Sequence, residues 1–210
     1  IKAVIENKKD NHPLKKNAFE YNSYNKFILD VDSSTLKYVT EKKESDTLTE
    51  EEKFVKRQHY FMLESASNRR FVPPAKDRED ILAYRVSGLN NPIFSTIAQS
   101  IQNFHFYEEE FQVLMKTYFS PIANDGLKRY YFIIQDTTVV GKDTTFTLSF
   151  QPRPGKEFQT LKGTLFINTN GFAIERVIAE PYEQKNFKVK VVQQDEDIQG
   201  KKWFPTNLST

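Results

Sequence analysis

The 210 residues carry 30 basic and 28 acidic side chains for a net charge of +2, and the two signs are interspersed, so there is no basic field of the kind that draws nucleic acid. Without cysteine the chain forms no disulfide, thiolate nucleophile or Cys-based metal site, and 18 Phe and 10 Tyr against 2 Met and 1 Trp suit pleated sheet better than a helical bundle. No apolar run approaches the ~20 residues of a membrane-spanning helix.

Taken in chain order, residues 2–9 predict a short helix that ends before His12-Pro13, because the residue preceding a proline is pushed out of the α region. Phe19, Tyr21, Tyr24, Phe27, Leu29 and Val31 then predict a long strand from Ala18 to Asp32, with a bulge near Asn22-Ser23 to reconcile a change of apolar parity. The polar stretch 39–53, with Glu41-Lys42-Lys43-Glu44-Ser45-Asp46, is expected to be a flexible loop. Gln58 to Phe71 and Asp80 to Ser87 read as two strands, separated by Val72-Pro73-Pro74, whose missing amide hydrogens forbid a continuous ladder.

Asn91 caps and Pro92 opens a helix expected to run to Phe104, with Ile93, Phe94, Ile97, Ala98, Ile101 and Phe104 three and four apart on one stripe. Strands are predicted from Phe111 to Tyr118, Lys128 to Thr137 and Lys188 to Gln193, with a turn or short helix around Ser120-Pro121 and Asp125-Gly126. Between Asp143 and Pro181 apolar residues recur at every second position: Phe146, Leu148 and Phe150, then Leu165 and Ile167, then Phe172, Ile174 and Val177. The last two runs flank Asn170-Gly171, residues that take the positive φ of a tight hairpin, and the whole predicts an antiparallel meander. Lys201-Lys202-Trp203-Phe204-Pro205-Thr206 begins a further strand near the end of the chain. Together with Ile1 in the first position, this reads as a segment excised from a longer protein.

These elements predict an α+β fold: a strongly curved antiparallel sheet, or open half-barrel, whose concave side is covered by the 92–104 helix. In that arrangement Ile93, Phe94, Ile97, Ile101 and Phe104 face Phe146, Leu148, Phe150, Leu165 and Ile167, either as a filled core or as the walls of an apolar cleft able to hold acyl chains.

Signals for chemistry are sparse. His12, His59 and His105 lie at no spacing that joins two of them as ligands on one helix or strand. Glu108-Glu109-Glu110 and Asp195-Glu196-Asp197 read as solvated runs, since consecutive acids on a strand point to opposite faces. Asp77, Glu79 and Asp80 offer carboxylates for acid–base work, but their spacing does not select it. With no nucleophile elbow, phosphate-cradling glycine loop or His-Glu-x-x-His pattern, the expectation is a protein that is not an enzyme and takes no cofactor or metal.

Several short segments carry a resemblance. Tyr21-Asn22-Ser23-Tyr24-Asn25-Lys26, Leu63-Glu64-Ser65, Tyr84-Arg85-Val86-Ser87-Gly88, Phe106-Tyr107-Glu108, Tyr118-Phe119-Ser120-Pro121-Ile122-Ala123, Phe150-Gln151-Pro152-Arg153, Leu161-Lys162-Gly163-Thr164-Leu165 and Trp203-Phe204-Pro205, in that order, resemble an uncharacterised cell-envelope family of the Bacteroides group. There a carboxypeptidase-regulatory-like domain precedes a periplasmic segment and an outer-membrane barrel. The resemblance implies that residues 1–210 form a single periplasmic domain of an outer-membrane-associated protein. Any membrane association would come through flanking regions. The order of elements, including Lys162-Gly163-Thr164-Leu165-Phe166-Ile167, is also similar in shape to periplasmic lipoprotein-carrier proteins. The leading expectation is a non-catalytic module that binds a lipid or lipoprotein acyl chain, or an envelope protein partner, and no nucleic acid. A structural spacer with a filled core and an envelope hydrolase are the alternatives.

Overall fold

The computed structural model describes residues 1–13, 18–29, 61–88, 105–113, 116–155, 159–183, 190–198, 200 and 202–209. The chain divides into two compact units, Ala18–Gln99 on the one hand and Ile1–Asn17 with Ser100–Thr210 on the other, so the first is inserted in sequence into the second.

The inserted unit is a three-stranded antiparallel sheet in the order β1 (Phe19–Leu29), β2 (Phe61–Val72), β3 (Lys76–Gly88). The β1–β2 register runs unbroken from Phe19 opposite Phe71 to Leu29 opposite Phe61. The expected bulge near Asn22-Ser23 is therefore absent. Tyr24 breaks the apolar parity because it lies on the solvent face, where its hydroxyl donates to Glu64 at 2.6 Å. The register shift falls instead in the β2–β3 pair, between Ala66 and Ser67. On the opposite face Phe19 stacks on Phe71, and the polar ladder continues through Ser23 to Ser67 at 2.8 Å and Ser67 to Glu79 at 2.5 Å. The β2–β3 turn at Pro73-Pro74 falls where the prolines predict it.

The second unit opens with two short helices, α1 (Lys2–Glu6) and α2 (Lys8–Asn11), which end at His12 as Pro13 requires. The predicted strand from Phe111 to Tyr118 is a hairpin, β4 (Glu110–Val113) with β5 (Lys116–Phe119), and the short helix α3 (Gly126–Arg129) follows. From there the chain is a meander: β6 (Tyr130–Val140), β7 (Asp143–Pro152), β8 (Leu161–Asn168), β9 (Ala173–Pro181), β10 (Val191–Ile198) and β11 (Lys202–Ser209) pair strictly with their sequence neighbours. In the β8–β9 turn the positive φ angles belong to Gly171 (68°) and Phe172 (49°), one residue later than Asn170-Gly171 suggests. The tip is pinned there by bonds from Asn11 to the Gly171 carbonyl at 2.9 Å and from the Trp203 indole to the Asn170 carbonyl at 3.1 Å.

One face of the six-stranded sheet is dry. Leu148, Phe150, Leu165, Ile167, Val177, Ala179 and Val191 are buried on it, with Leu148 opposite Leu165. The opposing layer is irregular chain: Phe106, Tyr107, Phe111, Val113, Tyr118, Ile122 and Ala123 are buried in the turn, hairpin and loop between residues 105 and 125. Tyr130 joins the layers, packing edge-on against Phe150, donating its hydroxyl to the Phe119 carbonyl at 2.7 Å and receiving the Leu161 amide at 3.4 Å.

The expected fold class needs correction. Among the described residues strand accounts for 66% and helix for 10%, which makes them mostly β, and their three antiparallel sheets are neither closed nor strongly curled. Among the described residues no helix covers a sheet. The physical reason is that aromatic side chains in the 105–125 segment bury the sheet face without helical periodicity, and short, sequential turns leave the sheet open. The predicted helix 92–104 and the predicted loop 39–53 lie outside the described residues.

Candidate functional site

Among the described residues three places in the second unit stand out, two of them polar and one an exposed apolar strand. The deepest lies between β10 and the turn at residues 105–109. Gln193 and Asp195 share the dry face of β10 because they are two apart on a strand. Gln193 accepts the Phe106 amide on Oε1 at 3.3 Å and donates through Nε2 to Asp195 Oδ1 at 2.8 Å. Asp195 is only 1% exposed, and among the described residues its Oδ2 meets no hydrogen-bond donor. Burial penalises its charged form and pushes its pKa up to about 7, an effect that the Gln193 bond only partly offsets. The Tyr107 hydroxyl, which accepts the Ile174 amide at 2.8 Å, is pushed well above the usual phenol range by burial and then by the nearby Asp195 carboxyl.

Beside it, the helix pair is fastened to the same turn. Lys8, buried, pairs with Glu109 and approaches the Ile122 carbonyl at 3.5 Å, while buried His12 meets Glu108 at 2.7 Å. The rings of His12 and His105, 93 positions apart in sequence, lie with centroids 6.1 Å apart. Tertiary structure thus brings two histidines near each other from separate segments, a proximity on which spacing within one helix or strand has no bearing. The two acidic clusters also differ from solvated runs, since Asp195 is buried, Glu109 holds the buried Lys8 and Glu108 bonds the buried His12. Among the described residues no group of three or more His, Asp or Glu side chains is placed to share a metal ion. His12 is 1% exposed at its side chain and Glu108 43%, so the bond fastens the helix pair to the turn with the imidazole on its buried side.

The second place is the outer strand β6. It pairs with β7 alone among the described residues, and large apolar side chains remain in solvent on it: Ile133 57% exposed, Ile134 63% and Val139 69%. Ile134 stands opposite Leu148, on the sheet's dry face, yet the covering layer does not extend over it. Ile133 and Ile134 are consecutive and so project to opposite faces. The other outer strand, β11, differs: it carries Pro205, which lacks an amide hydrogen, at a register shift opposite Asp195. In β6 the single charge is Asp136, next to a shift between Ile134 and Asp136.

The third place is an open cleft of about 510 Å³ at the end of the sheet where β6 begins and β7 ends. Tyr131, Gln151, Arg153, Gln159, Tyr182 and Glu183 contribute to its walls, and the Arg153 guanidinium carbon lies over the Tyr131 ring, 4.0 Å from its centroid.

Of the residues predicted to line an apolar cleft, Leu148, Phe150, Leu165 and Ile167 are buried together on one face, and Phe146, half-buried, stands opposite Ile167. Ile93, Phe94, Ile97, Ile101 and Phe104 lie outside the described residues. Asp77, Glu79 and Asp80 are spread along β3, where Arg69, Ser67 and Arg78 respectively hold them in separate surface pairs. Sequence reasoning missed Asp195, Gln193, His12 and the exposed β6. The alternation Val191, Gln193, Asp195 carried a signal for the first two, since it sets two polar groups on an apolar parity.

No curated protein and no solved structure matches the chain. A family model, described as Family of unknown function (DUF5686), matches residues 1–210, and the chain belongs to that family.

Proposed function

We propose that this member of a family of unknown function is a non-catalytic, partner-binding module, and that its docking element is β6, to which an extended segment of another protein adds as a further strand. What carries this reading is the exposure of Ile133, Ile134 and Val139 on an outer strand with one charge and no proline. An open strand offers unpaired N–H and C=O groups that give affinity, and its alternating side chains give specificity. Chains normally guard such strands with lysine, proline or a strong bulge. β11 is guarded by Pro205, whereas the β6 irregularity only divides the strand into two runs. The partner segment is apolar on both faces, to match Ile133 on one side and Ile134 on the other.

The setting we propose is the bacterial cell envelope, in the periplasm next to the outer membrane. It is supported by the resemblance carried by the ordered motifs from Tyr21-Asn22-Ser23 to Trp203-Phe204-Pro205. Within the envelope expectation, protein binding is favoured over acyl binding because the sheet face once assigned to a cleft is packed with Tyr107, Tyr118, Ile122 and their neighbours.

The test is selection of a displayed random-peptide library on the chain, followed by binding of the recovered peptides to Ile133→Lys and Ile134→Lys variants. Peptides with alternating apolar residues that slow amide exchange along β6 and lose at least about tenfold in affinity on either substitution support strand addition. Recovered peptides that ignore both substitutions overturn it. So does a failed selection, and acyl lipid extracted from natively purified protein would direct the reading to the ligand instead.

A further inference from the structure

The cleft at the start of β6 has a composition that the strand-addition reading does not use. We infer that it is a binding site for a neutral saccharide. Its volume, about 510 Å³, falls within the roughly 300–1,000 Å³ that small-ligand sites occupy. Tyr182, 48% exposed, presents ring surface to solvent, and Tyr131, 42% exposed, stands beside it with the Arg153 guanidinium over its ring. A pyranose ring has one face of C–H groups, which packs on an aromatic ring, and a rim of hydroxyls, which both donate and accept. Planar polar side chains answer that rim best: Gln151 and Gln159 do both at once, Glu183 accepts and Arg153 donates. Arg153 and Glu183 cancel in formal charge, so the lining favours a neutral ligand over a phosphate or a polycation.

The geometry supports pre-organisation. Arg153 is held over Tyr131 and donates through Nε to the Leu127 carbonyl at 3.2 Å, which fixes the guanidinium and leaves its terminal nitrogens for a ligand. Tyr131 and Gln151 are cross-strand partners on the face away from the core, and the Tyr182 amide bonds the Thr160 carbonyl at 2.9 Å, so the walls stand on paired backbone. A fixed polar cleft of this kind binds without an ordering cost in the protein.

Saturation-transfer NMR and calorimetry with neutral oligosaccharides of glucose and of N-acetylglucosamine, applied to the full chain, test the inference. Millimolar or tighter binding of either series, weakened about tenfold by Tyr182→Ala and by Glu183→Gln and unchanged by Ile134→Lys, is the expected result. Thermal unfolding of both variants at the unsubstituted temperature confirms that the loss is local. No binding by either series overturns the inference, as does binding that survives both substitutions. Preferential binding of a proline-rich peptide would reassign the cleft to protein recognition. Because Ile134→Lys disables only the outer strand, loss of peptide binding and loss of saccharide binding are read independently.

Discussion

Gln193 and Asp195, two residues apart on β10, share one hydrogen bond at 2.8 Å inside the covering layer, and that bond leaves the second carboxyl oxygen of Asp195 with no donor among the described residues. A carboxylate in that position is held by too few partners to repay its dehydration. Its pKa of about 7 lies above the ordinary carboxylate value near 3.9. The favourable, protonated state is therefore kept by the folded chain up to about pH 7, whereas the unfolded chain loses it from about pH 4 upward. The contribution is lost progressively as the pH rises through about 7, amounting to a few kcal/mol. Asp195→Asn keeps the acceptor for Gln193 and removes the charge. Urea midpoints measured from pH 4 to pH 8.5 should fall with pH for the unsubstituted protein and stay flatter for the variant, which becomes the more stable of the two at the alkaline end. Parallel curves would show that Asp195 is solvated after all.

The helix pair supplies a second prediction. Lys8 is 7% exposed at its side chain and its charge is met by Glu109, itself half exposed. Removing one partner of such a pair strands the other, and the half exposure of Glu109 lowers the cost below the 3–5 kcal/mol of a fully buried pair, to about 2 kcal/mol. Glu109→Gln should thus destabilise more than Lys8→Met, which removes the buried charge with the pair. Amide exchange at residues 3–11 is the local readout. Equal protection in all three proteins would mean the helices are held by Val4 packing and the His12 and Asn11 bonds without this pair.

Tyr107 gives a third. Its hydroxyl is the acceptor for the Ile174 amide, in a region sealed from solvent. Tyr107→Phe keeps the ring and orphans a buried N–H, which costs about 1–3 kcal/mol. Faster exchange of the Ile174 amide, with the sheet's other amides unchanged, is the expected signature. A variant as stable as the parent would indicate that the turn shifts to supply another acceptor.

These three sites show what could be read from residues alone. The meander from β6 to β11 was legible because period-two alternation and turn chemistry are local, and Leu148, Phe150, Leu165 and Ile167 do share one face as their parity requires. The covering layer was not. Phe106, Tyr107 and Ile122 bury themselves from irregular chain, for which no periodicity exists, so a helix was assigned the task instead. The β4–β5 hairpin was hidden because the sequence from Phe111 to Tyr118 contains no Gly, Pro, Asn or Asp to signal a turn. His12 meets Glu108 across 96 positions, a distance over which spacing rules have no hold. Exposure of β6 likewise follows from which strand is last in the sheet, and Ile133 and Ile134 look in sequence like any core pair.

The fourth prediction separates two glycines that sequence treats alike. Gly163 stands between Phe150 of β7 and Ala179 of β9, and a Cβ there would come within 2.0 Å of the Ile178 carbonyl oxygen, so the neighbouring backbone itself excludes a side chain. Gly171 has room, with its nearest neighbour the Asn11 side chain at 3.5 Å, but its φ of +68° disfavours residues with a Cβ. Alanine at Gly163 must displace a paired strand and should cost about 3 kcal/mol or prevent folding, since overpacking against backbone has no soft response. Alanine at Gly171 should cost about 1 kcal/mol, the ordinary left-handed penalty. Asparagine is the discriminating substitution: it tolerates the left-handed region, so Gly171→Asn should recover most of the loss, whereas Gly163→Asn should be worse than Gly163→Ala. Chemical denaturation of the four variants decides it. If Gly163→Ala unfolds at the parent's urea concentration, β8 and β9 are not as closely apposed as the register from Leu161 opposite Pro181 to Asn168 opposite Ala173 requires.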